Sequence, residues 1–76
     1  MPRRKLSYKE QRELDALPAL IDTLEAEQAG IAASLADGSL YGTDPARAAA
    51  LARRTAEIED ALLQALERWE LLGSAG

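Results

Sequence analysis

The chain is built around residues 45–72, which read PARAAALARRTAEIEDALLQALERWELL. Asp44 suits the N-cap of a helix, Pro45 suits its first position, and Gly73 suits its end. The residues between them predict a helix about 42 Å long. Mostly apolar residues recur in it at alternating spacings of three and four: Ala48, Leu51, Thr55, Ile58, Leu62, Ala65, Trp69 and Leu72. This heptad pattern needs a partner helix, which the rest of the chain has to provide.

The residues before Gly38 contain that partner. Ser7 begins it, because Ser7 and Glu10 have the spacing of a capping box. Pro18 interrupts it, either by kinking one helix or by ending a first helix near Ala16 and starting a second. We favour the break. The heptad phase continues across the proline through Leu14, Leu17, Ile21, Leu24, Gln28, Ile31 and Leu35.

The segment between the two arms is a turn. Gly38 is free to adopt the left-handed conformation that ends a helix. Leu40 and Tyr41 are too apolar for a solvated loop. We therefore expect a short 3₁₀ turn that covers the end of the seam at the turn between the two arms. The sequence therefore predicts an all-α fold, an antiparallel helical hairpin (coiled coil) with a short N-terminal helix broken from the first arm at Pro18.

The hairpin predicts a domain organisation and a register. Residues 1–6 form a linker or tail, residues 7–73 form the hairpin domain, and residues 74–76 form a second tail. In the favoured register Gln28 and Thr55 lie one layer apart in the seam, where a hydrogen bond between them would fix the alignment. A shift of one heptad is the alternative. The favoured pairs are Leu14–Leu72, Leu17–Trp69, Ile21–Ala65, Leu24–Leu62, Gln28–Ile58, Ile31–Thr55 and Leu35–Leu51.

Composition excludes several classes of chemistry. The chain of 76 residues contains neither cysteine nor histidine, which removes disulfides and the commonest metal and thiol sites. It has no glycine-rich phosphate loop, so we expect no catalytic residue, no metal ligand and no cofactor. No apolar run reaches the roughly 20 residues that span a bilayer, and no signal peptide is recognisable, so we expect a cytoplasmic protein with no membrane partner.

Charge is distributed unevenly. The net charge is −4, yet residues 1–12 carry five basic residues against Glu10 and sum to +4, whereas the remainder carries four arginines against twelve acids and sums to −8. Whole-chain charge argues against a general affinity for nucleic acid, whereas a basic arm on an acidic body is compatible with a local contact with nucleic-acid phosphates. The residues by themselves favour the other interpretation, that they serve solubility and ion pairs, such as Arg54 with Glu57. The candidate nucleic-acid-binding residues are Arg3, Arg4, Lys5, Lys9, Arg12, Arg53 and Arg54.

Apolar residues beyond the seam indicate a further contact. Leu20, Leu63 and Leu66 widen the apolar stripe beyond what two helices need. We therefore expect a monomer of low stability, a weak homodimer, or an appendage of a larger protein. Trp69 has two interpretations, as a seam residue packed near Pro18 or as an exposed platform on which a base stacks.

The stretch Lys5-Leu-Ser-Tyr-Lys-Glu-Gln-Arg-Glu-Leu-Asp-Ala-Leu-Pro18 resembles the C-terminal domain of Uup-type ABC-F ATPases. The family pattern continues through the later positions Ile21, Leu24, Glu25, Glu27, Leu35, Ala36, Asp37, Leu40, Tyr41, Arg68, Trp69 and Glu70. The resemblance covers about residues 5–72. Its segment through Pro18 is specific, whereas the later heptads are generic.

The resemblance implies a C-terminal α-helical hairpin that is associated with DNA binding, in a family associated with the ribosome. It also implies a parent ATPase whose nucleotide motifs are absent here, so this chain would be an excised, non-catalytic domain and Met1–Lys5 the end of its linker. Two functions follow as expectations. The first is binding of DNA or ribosomal RNA through phosphates, and the second is docking as a protein-interaction hairpin onto the parent ATPase domains or a ribosomal partner.

Overall fold

The structure is a computed structural model that describes residues 6–75. It contains three helices, α1 (Tyr8–Leu35), α2 (Ser39–Thr43) and α3 (Pro45–Ala75). The two long helices pack against each other in antiparallel directions, and the molecule measures 59 × 17 × 16 Å. The prediction of an all-α helical hairpin is confirmed.

The start of α1 follows the predicted capping box. The Ser7 hydroxyl accepts a hydrogen bond from the backbone N–H of Glu10 at 3.1 Å, and the Glu10 carboxylate accepts one from the N–H of Ser7 at 3.0 Å. These bonds satisfy two backbone donors that a helix start otherwise leaves unpaired. Leu6 precedes the cap and packs against a buried cluster that includes Leu72. The start of α1 therefore lies beside the end of α3.

Pro18 lies inside α1, which is one helix over Tyr8–Leu35. The predicted break at Pro18 is wrong. Proline cannot donate a backbone hydrogen bond to the carbonyl of Leu14, and it costs about 3 kcal/mol relative to alanine in a helix interior. The heptad residues on either side offset this cost, because Leu17 and Leu24 are both buried in the seam. Tertiary packing thus keeps the helix continuous where local preference favours an end.

The turn after α1 is built on Gly38. Its φ of 75° lies in the left-handed region, as predicted, where a residue without Cβ meets no steric penalty. The Asp37 carboxylate accepts hydrogen bonds from the N–H and the hydroxyl of Ser39, at 2.9 and 2.8 Å. These bonds lower the pKa of Asp37.

The segment after this turn differs from the prediction. It is one turn of α-helix rather than a 3₁₀ turn, because the N–H of Asp44 donates to the carbonyl of Leu40, four residues earlier, at 2.8 Å. Leu40 is half-buried. Tyr41 is 55% exposed, so the expectation that it covers the end of the seam is wrong.

The last helix begins as predicted and ends later. The Asp44 carboxylate accepts a hydrogen bond from the N–H of Arg47 at 3.1 Å, and Pro45 is the first residue of α3. Gly73 does not end the helix, since Gly38 is the only described residue with the left-handed φ that such a cap needs. The helix continues to Ala75.

The core is a seam of heptad residues in two clusters. Near the end of the hairpin opposite the turn, which we call the open end, Leu17 packs with Ala65 and Leu72, the heptad positions on either side of Trp69. The second cluster groups Leu24 and Ile31 with Ile58, which is fully buried. Both clusters agree with the favoured register, in which Leu17 lies opposite Trp69 and Ile58 lies between Leu24 and Ile31.

Two details of the predicted seam are wrong. The Thr55 hydroxyl donates to the carbonyl of Leu51 in its own helix at 3.0 Å, and it makes no bond to Gln28. Such a bond to the preceding turn is always within reach of threonine, whereas the bond across the seam requires two side chains to align. Trp69 occupies the edge of the seam and is 40% exposed, rather than packed inside it.

Candidate nucleic-acid interface

The first turns of α1 carry the described part of the predicted basic surface. Lys9 and Arg12 are both exposed, and their spacing of three places them on neighbouring positions of the helix surface. The guanidinium carbon of Arg12 lies 5.9 Å from the centre of the Tyr8 ring. Tyr8 is 80% exposed. In such a pair the cation can contact a phosphate, and the exposed aromatic ring can stack on a base.

The contact between Tyr8 and Arg12 was not predicted. Their i, i+4 spacing was its signal in the sequence, since residues four apart are neighbours on a helix. The remaining predicted residues of this basic arm, Arg3, Arg4 and Lys5, lie outside the described residues.

Arg54 belongs to the second predicted patch, and it is held by two carboxylates. Its Nε and Nη2 donate to both carboxylate oxygens of Glu27 on α1, at 2.7 and 2.9 Å. Its Nη1 donates to Glu57 at 3.3 Å, which confirms the predicted pair. The hydrogen bond from Arg54 lowers the pKa of Glu27, and the bonds from the two carboxylates raise the pKa of Arg54. Two acids therefore offset this one cation.

The two predicted patches are not brought together. Arg53 is exposed beside Arg54 in the first third of α3. Leu72 lies about 27 Å from Arg54 along the helix axis. It packs in the same cluster as Leu6. Lys9 and Arg12 are at that end, so one compact ligand cannot contact both patches.

A second ion pair joins the two long helices. Arg68 on α3 donates from Nε and Nη2 to the two carboxylate oxygens of Glu13 on α1, the latter at 3.0 Å. The hydrogen bond from Arg68 lowers the pKa of Glu13. Glu13 and Glu27 occupy the same heptad position of α1, and Arg68 and Arg54 occupy the same heptad position of α3. Both ion pairs therefore lie on the same side of the hairpin. We call this side, defined by the pairs Glu13–Arg68 and Glu27–Arg54, the ion-paired flank.

The other side of the seam has a different character. Pro18, Ile21, Leu66 and Trp69 line an open groove of about 280 Å³, and Asp22 lies at its edge. We call this side, defined by these five residues, the acidic flank. Its groove was not predicted, because it depends on Trp69 standing at the edge of the seam.

Neither a metal-ligating cluster nor a membrane-spanning helix is found within residues 6–75. No group of three or more acidic residues there is arranged to hold a metal ion. Within residues 6–75, no helix combines the length and the apolar character needed to cross a membrane.

Comparison with protein families gives a match that covers nearly the whole chain. The family model described as the ABC transporter C-terminal domain matches residues 5–74. No solved structure matches the chain significantly.

Comparison with curated proteins finds similar sequences in two bacteria. The chain is 41% identical over 68 residues to the ATP-binding protein Uup of Escherichia coli K12, which covers 90% of this chain and 11% of that protein. It is 45% identical over 73 residues to an ATP-binding protein Uup-like of Haemophilus influenzae, covering 90% of this chain and 15% of the relative. It is equally similar to the Uup protein of that organism, of which it covers 10%. The chain thus spans between a tenth and a seventh of the relatives' length.

Proposed function

Because the chain belongs to the ABC transporter C-terminal domain family of Uup-type proteins, we propose that it is a non-catalytic accessory domain of an ABC-F ATPase and that it binds DNA or ribosomal RNA. Hydrolysis of ATP would be the work of the parent's other domains. The observation that supports nucleic-acid binding is the exposed group of Tyr8, Lys9 and Arg12 at the open end of the hairpin. The parent protein would act in the cytoplasm.

The charge distribution supports binding through the end of the hairpin. Lys9 and Arg12 follow three further basic residues, so residues 1–12 sum to +4. The acidic body repels a nucleic acid laid along it, but at 0.1 M salt charges beyond about 10 Å are largely screened. Phosphate contacts at the open end are therefore compatible with the net negative charge of the chain.

The mode of recognition follows from the side chains. Lys9 and Arg12 neutralise phosphates, and Tyr8 offers an exposed ring for stacking. Neither interaction reads the edge of a base in a groove. We therefore expect affinity that falls steeply with salt and that depends on nucleic-acid shape more than on sequence.

An electrophoretic mobility-shift assay tests the proposal, with branched DNA, duplex DNA and ribosomal RNA at low salt. We expect a shift with at least one of them, weakened about tenfold in the double variant Lys9→Ala, Arg12→Ala. The matched control is Arg47→Ala, Arg53→Ala, which removes the same charge from exposed positions on α3 and should change affinity less than about twofold.

Two outcomes would reject the proposal. Absence of any shift with all three nucleic acids would reject nucleic-acid binding itself. An equal loss in both double variants would mean that net charge or the second predicted patch at Arg53, and not the end of the hairpin, determines binding.

A second candidate function is protein docking. Leu20, Leu63 and Leu66 each have about half of their surface exposed, which is more apolar exposure than the hairpin needs. The partner would be the parent's own ATPase domains, a ribosomal protein, or a second copy in a weak homodimer. Sedimentation and co-purification with the parent ATPase core test this: association that ignores salt supports it, and a monomer without binding to that core contradicts it.

A further inference from the structure

The acidic flank has the features of a second binding site, separate from the nucleic-acid interface. We propose that the groove between Pro18 and Trp69 is a docking site for a lysine- or arginine-rich amphipathic segment of a partner protein. The apolar side chains of that segment enter the groove, and its basic side chains meet the carboxylates around it.

The groove has the shape of a site for an apolar anchor. Pro18 and Ile21 form one wall on α1, and Leu66 and Trp69 form the other on α3. Leu66 is 54% exposed and Trp69 is 40% exposed, although both adjoin the seam. A side chain inserted between them would remove apolar surface from water on both helices, and tryptophan is the residue type most enriched at the centre of such contacts.

The charge around the groove determines which segment fits it. Asp22 lines the edge of the groove, and the heptad spacing places four further carboxylates on the same flank. On the acidic flank, the positions of both helices between Gln11 and Gly73 contain no lysine and no arginine. The described ion pairs all involve other acids, so none of these carboxylates is neutralised by a cation of the described part. The five are Asp15, Asp22, Glu25, Glu59 and Glu70.

The opposite side of the hairpin explains why the site is confined to one flank. On the ion-paired flank Glu13 and Glu27 are each bound at both oxygens by an arginine of α3. Their charge is therefore already compensated within the hairpin. On the acidic flank the carboxylates keep their charge available to a partner, which gives complementarity and speeds association.

The same charge argues against two other occupants. A second copy packed flank to flank would bring one set of these carboxylates against another, and like charges placed together oppose association. A nucleic acid would bring phosphates to the carboxylates around Asp22. A basic segment is the partner whose charge and apolar side chains both match.

Trp69 provides a direct reporter, since it is the only tryptophan of the chain. The probe is a synthetic leucine–lysine peptide of about two heptads, patterned as an amphipathic helix. The comparison peptide has glutamate in place of every lysine. We expect the basic peptide to shift the emission of Trp69 to shorter wavelength in a saturable titration, and the acidic peptide to leave it unchanged.

Matched variants of the 76-residue chain locate the binding. Asp22→Lys with Glu25→Lys should weaken the basic peptide about tenfold or more, whereas Asp60→Lys with Glu67→Lys, which changes the net charge equally on the outer face, should change it less than about twofold. Leu66→Ala should weaken binding about tenfold. Leu20→Ala, a similarly exposed leucine beside the ion-paired flank, should have little effect. Circular dichroism verifies that each variant remains helical.

Four results would overturn the assignment. The groove is not the binding site if titration with the basic peptide leaves Trp69 emission unchanged, and binding is non-specific if both charge variants weaken it equally. A shift in Trp69 emission with protein concentration alone would assign the flank to self-association. A shift produced by duplex DNA and not by the peptide would assign it to nucleic acid.

Discussion

Replacement of Pro18 by alanine should stabilise the hairpin. In the structure Pro18 lies well inside α1, where alanine would restore the hydrogen bond to the carbonyl of Leu14. Proline in a helix interior is about 3 kcal/mol less favourable than alanine. The substitution also removes ring atoms that line the acidic-flank groove, and since Pro18 is exposed this loss is no more than about 1 kcal/mol.

The net expected gain is about 2 kcal/mol in the free energy of unfolding. For a domain of this size each 1 kcal/mol raises Tm by about 4–8 °C, so Tm should rise by roughly 8–16 °C. Thermal and urea denaturation followed by circular dichroism at 222 nm measure both quantities. The matched control is Pro45→Ala, because Pro45 is the first residue of α3 and its missing N–H would have no partner there.

Comparing the two substitutions distinguishes a continuous α1 from a first arm that is split at Pro18. If α1 is continuous, Pro18→Ala stabilises the protein and Pro45→Ala changes stability by less than about 0.5 kcal/mol. If the arm were split at Pro18, both prolines would begin helices and both substitutions would behave alike. A Tm of Pro18→Ala that is unchanged or lowered would refute the continuous helix.

Further substitutions test the turn, the interior of α1, the seam and the ion pairs. Gly38→Ala should destabilise the hairpin by about 1 kcal/mol in urea denaturation because φ is positive, whereas Gly30→Ala should stabilise it by about the same amount, since Gly30 is inside α1 with open space around it. Ile58→Ala should lower the unfolding free energy by about 2–5 kcal/mol, because Ile58 is fully buried between the helices; a loss below about 1 kcal/mol would contradict the described seam. The folded-state pKa values of Glu13 and Glu27 are lowered, so their contribution is present above the unfolded value near 4.5 and is lost as pH falls through the folded values. A Tm profile from pH 6 to pH 2 should therefore decline less steeply in Glu13→Gln with Glu27→Gln than in the unmodified chain, and parallel profiles would contradict these pairs.

The sequence predicted the parts of the fold that depend on periodicity and on helix ends. The heptad positions of both arms form the seam, the capping box at Ser7 is present, and Gly38 has the left-handed backbone. Each follows from a local rule with few alternatives, such as the side-chain period of a helix or the steric freedom of glycine. Fold class and topology were therefore accessible without coordinates.

The errors occurred where local preference competes with packing. Pro18 favours a helix end by itself, but burial of the seam residues beside it keeps α1 intact. Tyr41 and Trp69 are apolar enough to suggest burial, yet a seam of two helices is too narrow to enclose large rings. The heptad pattern predicts which face of the helix a side chain occupies. It does not predict whether the seam has enough space to bury that side chain.

The candidate site was only partly accessible for a related reason. Lys9 and Arg12 are exposed as predicted, whereas Arg54 is engaged by a carboxylate from the other helix. That pairing depends on the register, because Glu27 and Arg54 meet across the hairpin. Neither this ion pair nor the acidic flank could be predicted until the register of the two helices was known.

The salt dependence of nucleic-acid affinity tests the central claim most directly. Fluorescence anisotropy with labelled duplex DNA gives the slope of the logarithm of the binding constant against the logarithm of salt concentration, to which each phosphate contact contributes about −0.9. If Lys9 and Arg12 each contact a phosphate, the variant Lys9→Ala, Arg12→Ala should bind with a slope shallower by about 1.8. A slope identical to that of the unmodified chain would contradict the assignment of the interface to the open end of the hairpin.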